Sequence, residues 1–143
     1  MSRPNRDAQA EIFKHYAPID KQIGLSVARK DLRRLFEEIG LFNEIHRTIF
    51  LTILDELGNN ILRHSGSGVI TLTGYRLASR KGIRIVAEDK GQGIRDLIKV
   101  LRPGYSQDNG MGLGLNLIES LADDVRIASL IHGGTRVEVW KWV

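Results

Sequence analysis

The chain has no cysteine, which excludes disulfides and thiolate metal sites together. Aromatic residues make up only 6% of it and prolines number three. No apolar stretch approaches the roughly 18 residues that a membrane span needs. The start, Met-Ser-Arg-Pro-Asn-Arg-Asp, has no apolar run behind it, so no signal peptide is expected. Nor does Gly-x-x-x-x-Gly-Lys occur, so a P-loop is absent. These absences lead to an expectation of a cytoplasmic protein with no membrane partner.

What remains is ordinary for a globular protein: 143 residues, 42% hydrophobic and 27% charged. A single domain spanning 1–143 is expected, with residues 1–10 polar and frayed. Basic residues outnumber acidic ones by 21 to 17, a net charge of +4. That sign would suit nucleic acid, but aromatics are few and the basic residues are dispersed, so nucleic acid is not an expected partner. The densest basic group, Arg29-Lys-Asp-Leu-Arg-Arg34, falls on a predicted helix with Glu37 and Glu38 following. Its first reading is a solvated face; the sharper one is a docking surface for an acidic protein.

Periodicity divides the chain. Glu11 to Ile23 alternates and contains Pro18, as an edge strand can. From Ser26 to Ile39 the apolar residues Val27, Leu32, Leu35, Phe36 and Ile39 recur at helical spacing, and Gly40 supplies a stop. Asn43 can cap a second helix running to about His64. Val69 to Leu77 and Ile83 to Glu88 read as a β-hairpin, Ile94 to Leu101 as a short helix and 102–109 as a loop. Helical spacing returns at Leu113, Leu117, Ile118 and Leu121, and two closing strands, Val125 to Ile131 and Thr135 to Val143, flank Gly133-Gly134. The fold class expected is α/β (α+β): a two-layer sandwich of helices on a mixed, mostly antiparallel sheet.

Three segments carry chemistry. Glu56, Asn60 and Arg63 or His64 share one face of the second helix, beside its apolar stripe. A carboxylate there can take a proton from a hydroxyl, and an Asn amide oxygen can hold Mg²⁺ bridged to phosphates. Asp89 ends an apolar β-branched run, and a carboxylate at that place can accept from the adenine amino group. Gly91 and Gly93 follow it and let backbone approach a base closely. Gly110, Gly112 and Gly114 open an amphipathic run, where free N–H groups and the helix dipole suit phosphate. A dinucleotide fingerprint would need glycine where Leu115 stands. Each segment alone is weak evidence; all three in this order point to an ATP site without a Walker lysine. His15, His46 and His132 lie on separate elements with no shared ligand spacing.

At these residues the chain resembles the GHKL ATP-binding family over roughly 40–143. Glu56-x-x-x-Asn60 looks like its N box, Asp89-x-Gly91-x-Gly93 like its G1 box, and Gly110-Met111-Gly112-Leu113-Gly114-Leu115 like its glycine-rich G2 box. Thr135 fits the threonine that joins the aspartate at adenine in that family. The resemblance implies a Bergerat-type sandwich, ATP with Mg²⁺, and Glu56 as catalytic base. At 143 residues a histidine kinase's dimerisation helices are not expected. Ala87 to Ile94, Asp96, Lys99, Tyr105-Ser106 and Lys141-Trp142 look most like the stressosome switch kinases of bacterial partner switching. That branch implies a cytoplasmic serine/threonine kinase acting on a STAS-domain protein and then activating a PP2C-type phosphatase. The anti-sigma kinases, whose partner is a sigma factor, carry an arginine just before the glycine-rich box where this chain has Asp108-Asn109. Besides that alternative stands a nucleotide-dependent adaptor with little catalysis. Residues 102–113 are expected to form a lid over the phosphates.

Overall fold

A computed structural model describes residues 10–90, 111–130 and 133–143, with backbone only for 111–113. Strand β1 (Glu11–Ile19) leads into helix α1 (Gln22–Ile39) and helix α2 (Glu44–His64). Strands β2 (Gly68–Arg76) and β3 (Lys81–Asp89) follow, then helix α3 (Met111–Leu121) and strands β4 (Asp124–Ser129) and β5 (Thr135–Trp142). The sheet order is β1-β2-β3-β5-β4, and every pairing is antiparallel. The expectation of a mostly antiparallel sheet is therefore met in full among the described strands. The short helix expected at 94–101 and the loop expected at 102–109 lie outside the described residues, and of the lid expected at 102–113 only 111–113 are described, where they open helix α3.

Local chemistry accounts for the elements. Pro18, which cannot donate a ladder hydrogen bond, sits in β1, a strand paired on one side only. Helix α1 starts at Gln22, four residues earlier than its apolar spacing suggests, because Gly24 and Leu25 are buried under it while Lys21 offers no side-chain cap to mark the start. It ends where Gly40 takes φ 74° and Leu41 N–H donates to Phe36 C=O at 2.7 Å. In α2 the Asn43 Oδ1 accepts the His46 N–H at 3.0 Å, the expected cap.

Alternation then builds two layers. Ala17, Ile70, Leu72, Ile83, Ile85, Val137 and Val139 are buried against Leu25, Leu32, Phe36, Phe50, Leu54, Leu57 and Ile118 of the helices. The intervening residues occupy the other sheet face, where Trp140 stacks on Tyr75 at 5.4 Å and lies 6.2 Å from Trp142. Glu138 ties this face together. Its carboxylate accepts from Arg84 at 2.5 Å, from the Trp140 indole at 2.9 Å and from Arg136 at 3.1 Å.

The Arg84 hydrogen bond, opposed by burial and helped by Trp140, holds the Glu138 carboxyl down at about 2 instead of 4.5. A carboxyl that titrates lower in the folded chain than in the unfolded one stabilises above about pH 4.5. That contribution fades as pH falls toward 2. With the side chain 12% exposed, the shift corresponds to at most about 3 kcal/mol. Urea unfolding measured from pH 5 to pH 2 should show Glu138→Gln losing stability less steeply than the wild type. Equal slopes would mean that Glu138 does not titrate in this window.

Candidate nucleotide site

The fifth turn of α2 is built for something other than core. Its apolar stripe, Phe50, Ile53, Leu54, Leu57 and Ile61, is buried. Asn60 sits within the same buried surface at 7% exposure, and neither its amide oxygen nor its nitrogen has a hydrogen-bond partner among the described residues. Thr73 alone shares that condition there, with one hydroxyl on the far face of the sheet. A buried amide left unpaired costs about 1–3 kcal/mol. One turn earlier, Glu56 is half-buried on the same helix face.

Helix α3 lies on both side chains. A Cβ placed on Gly114 would come 2.8 Å from Glu56 Oε2 and 3.7 Å from Asn60 Nδ2. Glycine there leaves the carboxylate where it stands. Because α3 starts at Met111, its first N–H groups have no acceptor within the helix. The positive end of its dipole therefore opens beside Glu56 and Asn60, which suits an anion.

A second cluster forms where β3 ends. The Thr135 N–H donates to Asp89 Oδ1 at 3.1 Å. Gly134, at φ 95°, packs so closely that a Cβ would strike the Asp89 carbonyl oxygen. Across the sheet Gly68 pairs with Asp89, and a Cβ on Gly68 would meet the Glu88 carbonyl and, at 3.1 Å, Ile61 Cγ2. Ile61 follows Asn60 directly. The helix turn bearing Asn60 is thus held against the strand end bearing Asp89, which joins the two clusters.

The structure brings Glu56, Asn60 and Gly114 together, and Asp89 with Thr135. Arg63 and His64 lie exposed in the last turn of α2. Met111, Gly112 and Leu113 contribute their backbone to the first turn of α3. The Leu115 side chain is 2% exposed in the core, so it can offer a ligand nothing but backbone. Gly91, Gly93, Ile94, Tyr105, Ser106 and Gly110 lie outside the described residues. Gly68 and Gly134 are additions: their role as close contacts of Asp89 depends on the tertiary pairing, which no local pattern shows. Among the described residues no three His, Asp or Glu side chains converge on a metal position. The Asn60 oxygen becomes a metal ligand only if a bound molecule brings phosphate oxygens with it.

A strand-end carboxylate, an unsatisfied helix amide with a carboxylate, and a helix N-terminus are the groups that an ATP-binding domain without a Walker lysine would use. The model of the histidine kinase-like ATPase domain matches residues 20–141, and the chain belongs to that family, as its resemblance to GHKL proteins implies. The serine/threonine-protein kinase RsbT of Bacillus subtilis (strain 168) is 34% identical over 116 residues, covering 81% of this chain and 86% of that protein. By that likeness the chain is an enzyme, a protein kinase, and its domain type binds ATP. An anti-sigma F factor of Clostridium novyi (strain NT) is 33% identical over 64 residues, covering 43% of this chain and 45% of that one. Among solved structures, the catalytic domain of the histidine kinase ThkA aligns with a TM-score of 0.49 and 16% identity over 89% of this chain and 95% of that one.

The two glycines predict opposite outcomes. Gly134→Ala forces an L side chain to positive φ against backbone and should cost roughly 1–3 kcal/mol. Gly114→Ala meets the end of a flexible side chain, and alanine in a helix is favoured over glycine by about 1 kcal/mol. Urea midpoints should fall for the first and stay level or rise for the second. Similar losses in both would show that Gly114 is needed for packing and not for the room it leaves Glu56.

Proposed function

We propose that the chain is an ATP-dependent protein serine/threonine kinase of a bacterial partner-switching pathway, phosphorylating a STAS-domain protein. The observation that carries this reading is the half-buried Glu56 carboxylate beside the unsatisfied Asn60 amide, both against the opening turn of α3. Asp89, with Thr135, selects adenine by accepting from its amino group. Asn60 is the protein ligand for Mg²⁺, which neutralises phosphate charge when the nucleotide is bound. The α3 N–H groups from Met111 to Gly114 receive phosphate oxygens, and Arg63 reaches the same charge. Gly91, Gly93, Ile94, Tyr105, Ser106 and Gly110 complete the nucleotide contacts in this reading.

In the transfer, a serine or threonine oxygen of the partner attacks the γ-phosphorus. The bond to the β,γ-bridging oxygen breaks, ADP leaves, and Glu56 orients the hydroxyl and takes its proton. General-base help of this kind contributes typically about 10²–10⁴-fold, and positioning supplies much of the rest. A pure adaptor would need the adenine and phosphate contacts but no carboxylate at Glu56. The anti-sigma alternative finds support in shorter alignments than RsbT does. Activation of a PP2C-type phosphatase by the released kinase fits the same pathway, and a sigma factor is the partner in the alternative.

Metal and base separate by mutation. Asn60→Ala should weaken Mg-ATP binding about 10-fold or more, whereas Glu56→Ala should leave binding nearly intact and cut turnover at least about 100-fold. Calorimetry and single-turnover transfer measure the two quantities. Variants that behave alike in both would sink the assignment.

With Mg-ATP and a cognate STAS-domain protein, the wild type should place phosphate on a serine or threonine, and the label should survive acid. Tight binding of ATP and partner without transfer would favour the adaptor. An acid-labile label would indicate phosphohistidine chemistry.

A further inference from the structure

The surface of α1 facing away from the core carries exposed apolar residues beside its cations. Ile23, Val27, Lys30 and Arg34 follow one another at i, i+4, i+7 and i+11, so they form a single stripe. Ile23 is 70% exposed and Val27 46%, while Lys30, Arg33 and Arg34 are exposed beside them. Two neighbouring β-branched side chains left in water on one helix are a cost that burial against a partner would recover. Among the described residues Lys21, Lys30, Arg33 and Arg34 make no ion pair, whereas Arg29 and Glu37 do. Among the described residues Asp20 and Asp31 are the acidic residues of this stretch that make no ion pair, so the stripe keeps an excess of positive charge.

The same helix lies directly against the catalytic one. Leu25 packs onto Gly58 so closely that a Cβ there would overlap its methyl group. Arg29 Nε donates to Asp55 Oδ1 at 2.7 Å, and Asp55 precedes Glu56. A protein seated on the stripe is therefore one helix away from the carboxylate that must meet its hydroxyl.

We propose that the stripe Ile23, Val27, Lys30 and Arg34 of α1, with Arg33, docks an acidic face of the phosphoacceptor protein and presents its serine or threonine to Glu56. This rests on the kinase reading above. The apolar pair would supply the desolvated centre of the contact and the cations its rim, speeding encounter and rejecting basic partners.

The test uses the full chain and a purified STAS-domain protein that binds the ATP-loaded wild type. Lys30→Glu with Arg34→Glu, and separately Ile23→Ser with Val27→Ser, should each weaken that binding at least about 10-fold and raise KM for the protein substrate. ATP affinity, the urea midpoint and kcat at saturating substrate should hold. Association with the charge-reversed variant should also lose most of its salt dependence. Arg126→Glu, the same charge change on β4, serves as the control and should behave as wild type. Wild-type binding without transfer would remove the kinase reading, and loss of that binding in the stripe variants would still support docking here. Unchanged binding and KM in both stripe variants overturns the inference. So does a change confined to self-association of the chain, which would make the stripe a contact between copies.

Discussion

Three elements reach helix α2 at a glycine, and the rest of the structure depends on how close those approaches are. Leu25 of α1 sits on Gly58, the first turn of α3 brings Gly114 onto Glu56 and Asn60, and Gly68 of β2 lies beneath Ile61. A methyl group at any of the three would push a whole element outward or turn a side chain away. Packed interiors transmit such displacements because they hold few voids to absorb them. The contacts fall within residues 56–61, where α2 also carries its polar pair. The helix is thereby clamped at the turn where a carboxylate and an unsatisfied amide must be held still.

The sheet contributes the other half of the site through register. Asp89 and Thr135 meet because β3 and β5 pair with Glu88 opposite Arg136. A slip of one residue would move Asp89 to the other face and break the ladder that places Thr135 N–H on its carboxylate. The outer-face network resists that slip. Arg84 of β3 bonds Glu138 of β5, and Arg136 reaches both Glu138 and, at 3.7 Å, Glu88. The two cross-strand ties, Arg84–Glu138 and Arg136–Glu88, lie between the stacked Trp140 and the strand end carrying Asp89. A feature of the open face thus fixes a contact on the covered one.

Much of this was legible in the residues. The Asn43 cap, the length of α2 and the paired strands follow from local periodicity and turn chemistry, which act within a few residues. Of the three motif segments, the structure places Glu56 and Asn60 on one face of α2, as helical spacing alone suggests, and Gly114 against them. The start of α1 was not legible, since no side chain caps it and its first turn is held by the backbone and by burial of Gly24 and Leu25, which local sequence does not mark. Gly58, Gly68 and Gly134 were equally silent as contacts. Their reason is a neighbour far away in sequence, and a glycine whose role is to admit that neighbour carries no local mark. Leu115 shows the converse: within a glycine-rich box its side chain is plain core.

The amide of Asn60 sets the direction of the remaining argument. An apolar residue there would remove the cost of an unpaired buried amide, and the stripe around it shows that this helix has apolar residues to offer. The fold tolerates the cost next to a half-buried carboxylate and a helix N-terminus, the two other groups that an anion with its cation would engage. Such a site is more stable with ligand than without, so nucleotide binding should tighten the α2–α3 contact that Gly114 makes. Helix α1 is coupled to the same turn through Leu25 and the Arg29–Asp55 pair, so a partner docked on α1 as proposed and a nucleotide bound against α3 would both act on α2. Under that proposal their affinities would be linked: whatever one gained from ordering residues 55–60, the other would no longer have to supply.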